Sequence, residues 1–375
     1  MRRLSALFTA AVVILALTAC TSASASPEPS ADETCPHAGD PLASLDLVDD
    51  VRAVTGQSTA CLGTHAIDPI SDDTAPSLPV TVIDAEDRDV TVADVSRILP
   101  IDISGTIAAT VFALGLGDHV VGRDISTEFA GTEDLPIVTK SGHTLNAEAI
   151  LEVAPTVVLT DTSIGPKEVR QQLRDADIAV VVISSERRLD TTGELIAEIA
   201  PALGVPTRGA ALAERVDADV KAVIAEVAGI APADVADRAR MLFLYVRGSA
   251  NVYYIFGADS GADSLIDAAG GVDVATEIGW SGMKPMTAEA LAAAQPDVIV
   301  MMTEGLTSVG GVEGLVERLP AVAQTPAGAH GRVIDMDDTE ILSFGPRSPE
   351  IIRALARALY APADSPALPV GESSS

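Results

Sequence analysis

The chain has 375 residues, 47% of them hydrophobic, and 54 acidic against 24 basic side chains give it a formal net charge of −30. This length suggests two domains or one two-lobed unit, and so large an apolar fraction excludes a chain that is disordered throughout. The negative charge argues against nucleic acid as a partner, and three cysteines are too few for a four-cysteine zinc site or a disulfide-dense scaffold.

The N-terminus has the pattern of an export signal. Two arginines precede a mostly apolar stretch at 4–17, which is too short to cross a membrane as a stable helix. The Leu-Thr-Ala-Cys at 17–20 resembles a bacterial lipobox, in which cleavage leaves Cys20 as the new N-terminus, carrying acyl lipid such as palmitate. The alternative is a plain signal peptide cleaved near Ala25. We expect a signal peptide at 1–19 and a flexible tether at 20–34, whose polar composition cannot bury a core.

An extension without clear periodicity follows at 35–84 and holds the two cysteines that remain if Cys20 is lipidated. In an oxidising extracytoplasmic space, an even pair predicts a disulfide between Cys35 and Cys61. A bridge that closes this 27-residue loop stabilises the fold by about 3–4 kcal/mol on the chain-entropy argument.

Two segments, 146–159 and 287–300, read alike at a constant offset of 141 residues. Each starts with a residue type that caps helices, Asn146 or Thr287, and runs for about two turns to a proline. Each ends in a β-branched run that is typical of a buried strand. Unless the likeness arises by chance, two such units predict two lobes of similar build.

The remaining elements also alternate between helix and strand, which indicates parallel sheets covered by helices. Apolar residues spaced mostly three to four apart at 208–227 predict one long helix. The predicted fold class is therefore α/β, with two Rossmann-like lobes, a ligand cleft between them and one long rigid helix that joins them. The predicted boundaries are an N-lobe at 85–190, a connecting helix region at 191–232, a C-lobe at 233–361 and a disordered tail at 362–375.

The common enzyme motifs are absent from the sequence, which has no G-x-S-x-G elbow, P-loop, H-E-x-x-H or C-x-x-C. None of the five histidines lies two or four positions from another, so a transition-metal site would need ligands from distant parts of the chain. We expect a protein that is not an enzyme, with a cell-surface enzyme as the distant alternative.

Three segments carry a resemblance to a known family: TKSGHTLNAE at 139–148, LFLYVRG at 242–248 and WSGMKPMTAEAL at 280–291. Taken with the export signal and the two-lobe pattern, they resemble the haemin-binding lipoproteins of Gram-positive, actinobacterial-type haem importers. These belong to the substrate-binding lipoproteins of ABC importers for siderophores, corrinoids and haem. The similarity runs from about Val95 to Tyr360.

The resemblance implies a function and a ligand set. His143 and Tyr245 would ligate haem iron from opposite lobes, and Arg247 would donate a hydrogen bond to Tyr245. The protein would be lipid-anchored on the extracytoplasmic face of the cell membrane. There it would pass ferric haem b to an ABC permease and its ATPase, with surface haem-relay proteins as further candidate partners.

The chemistry of these side chains agrees with that implication. A phenolate is a hard anionic ligand that suits ferric iron, and a neighbouring cation favours the phenolate. On a strand, Tyr245 and Arg247 point to the same face. Without the resemblance, Tyr245 reads as an amphipathic strand residue and His143 as a solvated loop histidine. Tyr360 is a weaker ligand candidate, because it lacks an arginine two positions on.

Other residues are candidates for lining the cleft or for binding the haem propionates through a helix N-terminus or a positive charge. They are Ser104, Gly105, Thr106, Arg123, Tyr253, Tyr254, Met283 and Lys284.

Glu148 and Glu289 occupy the same place in the two repeated units, in the first turn of a helix. A carboxylate there interacts favourably with the helix dipole, by about 0.3–1 kcal/mol, whatever its other role. In the importer family one exposed glutamate on each lobe docks onto permease arginines, so the resemblance implies that role here. The nearest alternative cargo is an iron–siderophore or a corrinoid. Siderophore pockets use several arginines and aromatic residues, and aromatics are only 3% of this chain.

Overall fold

The computed structural model of the chain describes residues 35, 37–63, 66–71 and 74–367. The predicted signal peptide, the tether and Cys20 lie outside these residues. The body has two α/β lobes, each built on its own parallel or largely parallel sheet, and one long helix joins them, as predicted. Within the described ranges, no helix combines the length and the apolar content that crossing a bilayer requires.

The strands of the described chain are, in order, β1 (Gln57–Ala60), β2 (Val80–Ile83), β3 (Asp89–Val92), β4 (Ile98–Ile101), β5 (Thr139–Lys140), β6 (Thr144–Leu145), β7 (Val157–Thr160), β8 (Ala179–Val182), β9 (Arg240–Arg247), β10 (Val252–Phe256), β11 (Val272–Asp273), β12 (Met283–Pro285), β13 (Val298–Met302) and β14 (Val333–Met336). The α-helices are α1 (Thr106–Ala113), α2 (Ala147–Glu152), α3 (Lys167–Asp175), α4 (Thr192–Ala202), α5 (Pro206–Ala228), α6 (Ala262–Ala268), α7 (Val274–Glu277), α8 (Ala288–Ala294), α9 (Thr303–Thr307), α10 (Gly311–Arg318), α11 (Pro326–His330) and α12 (Ser348–Tyr360).

The N-lobe is built on a three-stranded parallel sheet in the order β4–β7–β8. All four residues of β7 are buried, because helices cover both faces of the sheet. Two antiparallel hairpins, β2–β3 and β5–β6, complete this lobe. The second hairpin matters for function, because its turn carries His143.

The C-lobe has a larger, seven-stranded sheet in the order β1–β14–β13–β9–β10–β12, with β11 also paired to β9. The strands β1, β14, β13 and β9 run parallel, whereas β10 is antiparallel to both of its neighbours. The lobe therefore combines a Rossmann-like parallel half with an antiparallel half, and Tyr245 lies on the strand where the two halves join.

The connecting helix α5 has 23 residues and begins with Pro206 in its first turn, where a missing N–H costs nothing. Its apolar stripe serves both lobes in turn. Leu212 and Val216 pack in the N-lobe core, and Val223 and Val227 pack in the C-lobe core. The helix is thus anchored at both ends, as the spacing predicts.

The two repeated units are present at the predicted offset. Helices α2 and α8 begin at 147 and 288, and strands β7 and β13 begin at 157 and 298, 141 residues apart in each case. The Thr287 hydroxyl caps α8 by accepting from the Ala290 N–H at 3.1 Å. The expected cap by Asn146 is wrong: its side chain makes no capping bond, and its backbone N–H instead donates to the Val138 carbonyl.

The extension at 35–84 is divided between the two lobes. Its first part adds β1 to the edge of the C-lobe sheet, whereas β2, at its end, pairs with β3 and packs on the N-lobe core. The predicted disulfide is present, with the Cα atoms of Cys35 and Cys61 5.9 Å apart. It ties the start of the described chain to the residue that follows β1.

The predicted disordered tail is wrong for its first residues. Residues 362–364 form a 3₁₀ turn, and the Ser365 hydroxyl accepts a hydrogen bond from Arg357 Nε at 3.1 Å. Arg357 is almost completely buried, so its guanidinium needs acceptors, and the tail supplies one of them.

The two lobes touch beside the cleft. Arg188, which follows the last N-lobe strand, donates to Asp259 at 3.1 Å and to Asp263 at 3.4 Å on the C-lobe. At a second contact, a Cβ placed on Gly345 would lie only 3.2 Å from Thr106 Cγ2 at the start of α1. Both contacts join residues of the N-lobe to residues of the C-lobe.

Candidate functional site

His143 lies in the three-residue turn of the β5–β6 hairpin. Ser141 and Gly142 both have positive φ, 49° and 80°, and a glycine in the second position accepts this backbone without strain. The His143 side chain is half-buried, and its Nδ1 lies 3.4 Å from the Ser126 hydroxyl. The turn thus presents one ring edge to the N-lobe and leaves Nε2 without a hydrogen-bond partner among the described residues.

The pKa of His143 is affected by charges on both lobes. Burial is the main cause that lowers its pKa, and the positive charge of Arg247 on the C-lobe lowers it further. Asp102 acts in the opposite direction. His143 and Arg247 are 104 positions apart in sequence, so the fold brings them within electrostatic reach. A neutral imidazole is the form of histidine that binds a metal.

Tyr245 sits near the carboxyl end of β9, and the strand alternates as predicted. Leu242, Leu244 and Val246 belong to one core of the C-lobe, whereas Tyr245 packs against the other core on the opposite face. The Tyr245 ring is stacked on Phe256, with centroids 6.1 Å apart. These contacts hold the ring plane while the side chain stays only partly buried.

Arg247 shares the Tyr245 face, as the strand period predicts, but its contact differs from the one that the resemblance implies. Its guanidinium lies over the Tyr245 ring, 4.7 Å from the centroid, as a cation–π contact. In the described part of the chain it makes no hydrogen bond to the Tyr245 hydroxyl, and it donates instead to Asp338 at 2.7 Å. The short ion pair with Asp338 accounts for this geometry.

The other three tyrosines differ in where they lie in the C-lobe and in what they contact. Tyr254 pairs directly with Tyr245 across β9–β10, so it shares that face, and the ring centroids are 6.5 Å apart. Tyr253 points to the other face and packs in the second core of the lobe. Tyr360 is buried, donates to the Gly270 carbonyl, and has its pKa raised by burial to about 12. Tyr360 packs in the same core as Tyr245, but its hydroxyl is engaged there, so Tyr254 is the one of these three that lies beside Tyr245 with a partly buried side chain.

Met283 and Lys284 are neighbours on β12 and point to opposite faces of the sheet. Met283 pairs with Phe256, shares the Tyr245 face and is 56% exposed. Lys284 pairs with Ile255 and so lies on the opposite face, where its ammonium is 5.9 Å from the Trp280 ring centroid. Lys284 therefore does not share the Tyr245 face of the sheet, because adjacent strand residues point to opposite faces.

The predicted anion contacts at the start of α1 are already engaged inside the N-lobe. The Ser104 hydroxyl donates to Asp102 at 2.7 Å and lies 2.8 Å from the Thr106 hydroxyl. Gly105 has φ of 70°, and a Cβ there would lie 2.7 Å from the Ser126 carbonyl oxygen. Ser104 and Thr106 are both buried, so their role as free cleft donors is not supported.

Arg123, the fourth predicted anion partner, is also inside the lobe. Its side chain is 9% exposed, and its guanidinium donates to the Thr127 carbonyl at 2.8 Å. Its Nε has no partner among the described residues. The arginine braces the loop that follows it, which is the loop that carries Ser126.

Sequence reasoning missed a buried cluster of carboxylates at the carboxyl ends of the N-lobe strands. Arg187 donates to Asp102 at 3.2 Å and to Asp161 at 2.7 Å. Asp124 accepts from the backbone N–H groups of Asp102, Ser126 and Thr127. Burial and the charge of Asp102 raise the pKa of Asp124 to about 7. The cluster fixes the loop beside His143, but its members come from three strand ends and share no sequence motif.

Two exposed isoleucines were also missed. Ile103 is 46% exposed and follows Asp102, and Ile125 is 43% exposed and precedes Ser126. Each therefore adjoins a residue that acts on His143. The sequence does not mark either isoleucine as a site residue, because isoleucine is common near the ends of buried strands.

Glu148 and Glu289 are both exposed, in the first turns of α2 and α8. Among the residues that the structure covers, no group of three or more His, Cys, Asp or Glu side chains is arranged to hold a metal ion on its own. A pocket of about 820 Å³ lies between the extension and the C-lobe, and none of its lining residues is a predicted iron ligand.

With this geometry in place, comparison with known proteins is informative. A family model described as periplasmic binding protein matches residues 102–340. The chain belongs to this family. The solved structure of the heme-binding protein HmuT is 44% identical, with a TM-score of 0.78, and the match covers 83% of this chain and 99% of that one. Further HmuT structures carry alanine at a histidine, at a tyrosine, or at an arginine two positions after that tyrosine. Tyr245 and Arg247 have the same spacing.

Two further relatives are less similar to this chain in sequence. An ABC transporter substrate-binding lipoprotein of Bacillus subtilis, YvrC, is 27% identical over 75% of this chain and 86% of its own length. A cobalamin-binding protein of Halobacterium salinarum is 27% identical over 77% of this chain and 76% of its own. The family and these relatives are binding proteins, and their cargoes include tetrapyrroles of more than one kind.

Proposed function

We propose that this protein captures ferric haem b between its two lobes and delivers it to an ABC permease. The observation that carries the proposal is the placement of the two candidate ligands: His143 lies in the turn of the β5–β6 hairpin of the N-lobe, and Tyr245 lies near the carboxyl end of β9 in the C-lobe with Arg247 over its ring. The charge of Arg247 is one of the causes that lower the pKa of His143, which agrees with this placement. A histidine from one lobe and a tyrosine from the other would supply the two axial ligands that a planar haem needs. The likeness to HmuT supports the same cargo.

Each ligand suits ferric iron for a stated reason. The phenolate of a tyrosine is a hard anionic donor that suits ferric iron, and the charge of a bound iron favours that form. The lowered pKa of His143 keeps its imidazole neutral and therefore able to bind iron at neutral pH. The protein acts as a carrier, so the ligands need only hold the iron and release it.

The porphyrin ring needs apolar surface on both sides. Ile103 and Ile125 provide exposed apolar side chains on the N-lobe. Tyr254 and Met283 provide them on the Tyr245 face of the C-lobe. Burial of such surface stabilises a bound ligand by about 25 cal/mol per Å². Because Ser104, Thr106 and Arg123 are engaged within the N-lobe, the propionates would be held at the solvent edge of the cleft.

Delivery requires an anchor and a docking surface. We propose that Cys20 carries the lipid that holds the protein on the extracytoplasmic face of the membrane. The exposed Glu148 and Glu289 would dock onto permease arginines, one glutamate on each lobe, while the ATPase drives transport. Surface haem-relay proteins would supply the haem. This role is that of a carrier and not of an enzyme.

The second candidate cargo is a corrinoid, and the 27% identity to a cobalamin-binding protein favours it over a siderophore. A corrinoid brings its own axial base, so it would not need both a histidine and a tyrosine from the protein. The pairing of His143 with Tyr245 therefore favours haem.

The test is a titration of the purified protein with ferric haem, with cyanocobalamin and with a ferric siderophore, each followed by absorbance. We expect saturation by one haem, with the spectrum of a phenolate-ligated ferric iron. Binding of cyanocobalamin with no change in the haem spectrum would replace haem by a corrinoid as the cargo.

A further inference from the structure

We propose that Asp338 is a positioning residue that holds Arg247 flat on the Tyr245 ring and so sets the environment of the iron-binding hydroxyl. This inference rests on the proposed function. It concerns a residue in the turn that follows β14, 91 positions after Arg247, which no motif connects to the site.

Both oxygens of the Asp338 carboxylate are fixed. Oδ2 accepts from Arg247 Nη2 at 2.7 Å, and Oδ1 accepts from the Glu304 backbone N–H at 2.9 Å, near the start of α9. The Asp338 side chain is 15% exposed, so water competes little for either bond. A short charge-assisted bond from a carboxylate that is itself anchored leaves the guanidinium little freedom.

Arg247 is confined on its other sides as well. Its Nη1 donates to the Val246 carbonyl at 3.1 Å, and its guanidinium carbon lies 4.7 Å from the Tyr245 ring centroid. A Cβ on Gly305 would come within 3.5 Å of Nη1 and 2.9 Å of the Val246 oxygen, so a glycine leaves room for the arginine here. Of these contacts of Arg247, the one with the Asp338 carboxylate is an ion pair.

The arrangement has a consequence for ligand binding. While Asp338 holds Nη2, the guanidinium is drawn over the ring face and away from the hydroxyl, which stays free to meet iron. When the phenolate forms, Arg247 has two anions within its reach, Asp338 and the Tyr245 oxygen. Asp338 therefore limits how strongly Arg247 withdraws charge from the Fe–O bond.

The experiment is a double-mutant cycle with Asp338→Ala, Arg247→Ala and the pair together, read by haem affinity and by the absorption band of the iron–phenolate bond. We expect Asp338→Ala to weaken haem binding about tenfold, the usual scale for a residue that supports a metal ligand, and to shift the band. Both effects should vanish in the Arg247→Ala background, because Asp338 acts only through Arg247. Equal effects in the two backgrounds, or an unshifted band in Asp338→Ala, overturn the proposal.

Two controls separate this inference from the proposed function. Asp337→Asn changes the exposed neighbouring carboxylate, which accepts from Thr339 and not from Arg247, and it should leave the spectrum unchanged. In isotope-labelled protein without haem, the Arg247 side-chain N–H signals should exchange with solvent faster in Asp338→Ala than in the unmodified protein, and unchanged exchange contradicts the positioning role. If the unmodified protein binds no haem, the proposed function fails, whereas the exchange measurement still decides whether Asp338 holds Arg247.

Discussion

The two repeated units are alike, but the segments that precede them differ in the two lobes. In the N-lobe, the segment before α2 is a tight hairpin whose turn presents His143. In the C-lobe, the residue at the same offset is Lys284, which lies in β12 and faces Trp280 on the opposite side of the sheet from Tyr245. The shared part is the helix and strand that follow. The side chains at the cleft therefore come from segments that lie outside the repeated helix–strand units.

The addition in the C-lobe is the antiparallel pair β9–β10, which the three-stranded N-lobe sheet does not match in the described chain. Antiparallel pairing places Tyr254 directly opposite Tyr245 and aligns an aromatic face along the strand ends. Pseudo-symmetry thus gives two lobes of similar build, while local strand additions make the two sides of the cleft chemically unequal. The predictions below test this division.

The symmetric part is tested by charge reversal of its matched glutamates. Glu148→Lys together with Glu289→Lys should abolish haem uptake by cells, because both proposed permease contacts become repulsive. Haem affinity of the purified variant should stay at the unmodified level, because both glutamates are exposed on helices and, among the described residues, neither makes a hydrogen bond or ion pair with His143 or Tyr245. Each single reversal should retain part of the uptake. Normal uptake by the double variant contradicts the docking role.

The asymmetric part is tested at Tyr245. Tyr245→Phe removes only the hydroxyl, deletes the anionic ligand and leaves Arg247 beside an apolar ring, so haem affinity should fall by about 500-fold, within the range for removing one partner of a desolvated charged pair. The measurement is a titration with the iron–phenolate band as the signal. Tyr253→Phe, on the other face of the sheet, is the matched control. If Tyr245→Phe keeps the band, Tyr254 becomes the ligand candidate, because it shares the face.

The extension is divided between the lobes, and only its C-lobe part is crosslinked in the described chain. Replacing Cys35 and Cys61 by serine should lower the free energy of unfolding by about 3 kcal/mol on the chain-entropy argument. Urea unfolding of the oxidised protein and the double variant measures this, with haem affinity as the internal control. Equal stability of the two proteins would show that the bridge does not constrain the unfolded chain.

The sequence predicts most of the architecture. Apolar spacing at 208–227 predicts helix α5, and the repeat predicts two helix–strand units to the residue. It cannot predict the long-range contacts of Arg187 and Asp338, because each of these loop residues binds partners that are distant in sequence. The 141-residue offset matches Lys284 to His143, but strand register places Lys284 on the face opposite Tyr245. At Asn146, a backbone bond to the Val138 carbonyl forms in place of the side-chain cap that the residue type favours.

A swap of the two equivalent positions tests the comparison directly. His143→Ala should weaken haem binding about tenfold and give the spectrum of a five-coordinate phenolate complex, because Tyr245 still holds the iron. Adding Lys284→His should not restore the six-coordinate spectrum, since position 284 faces away from Tyr245. Restoration by Lys284→His would mean that β12 does not keep this register in solution.

The last test concerns Asp124, one of the buried carboxylates of the N-lobe, and has no counterpart in the C-lobe ion pair of Arg247 with Asp338. Burial and Asp102 raise the pKa of Asp124 to about 7 in the folded protein, whereas an aspartate in the unfolded chain titrates near 3.9. Between these values the folded state binds more protons than the unfolded state, so this group's contribution to stability falls as pH rises from about 4 to about 7. Asp124→Asn removes that contribution, so its stability relative to the unmodified protein should improve steadily as pH rises through this window. Urea unfolding at several pH values measures the difference, with Asp337→Asn as the exposed control. Parallel pH profiles for Asp124→Asn and the unmodified protein would mean that Asp124 stays ionised in the fold, held by the three backbone N–H groups that it accepts from.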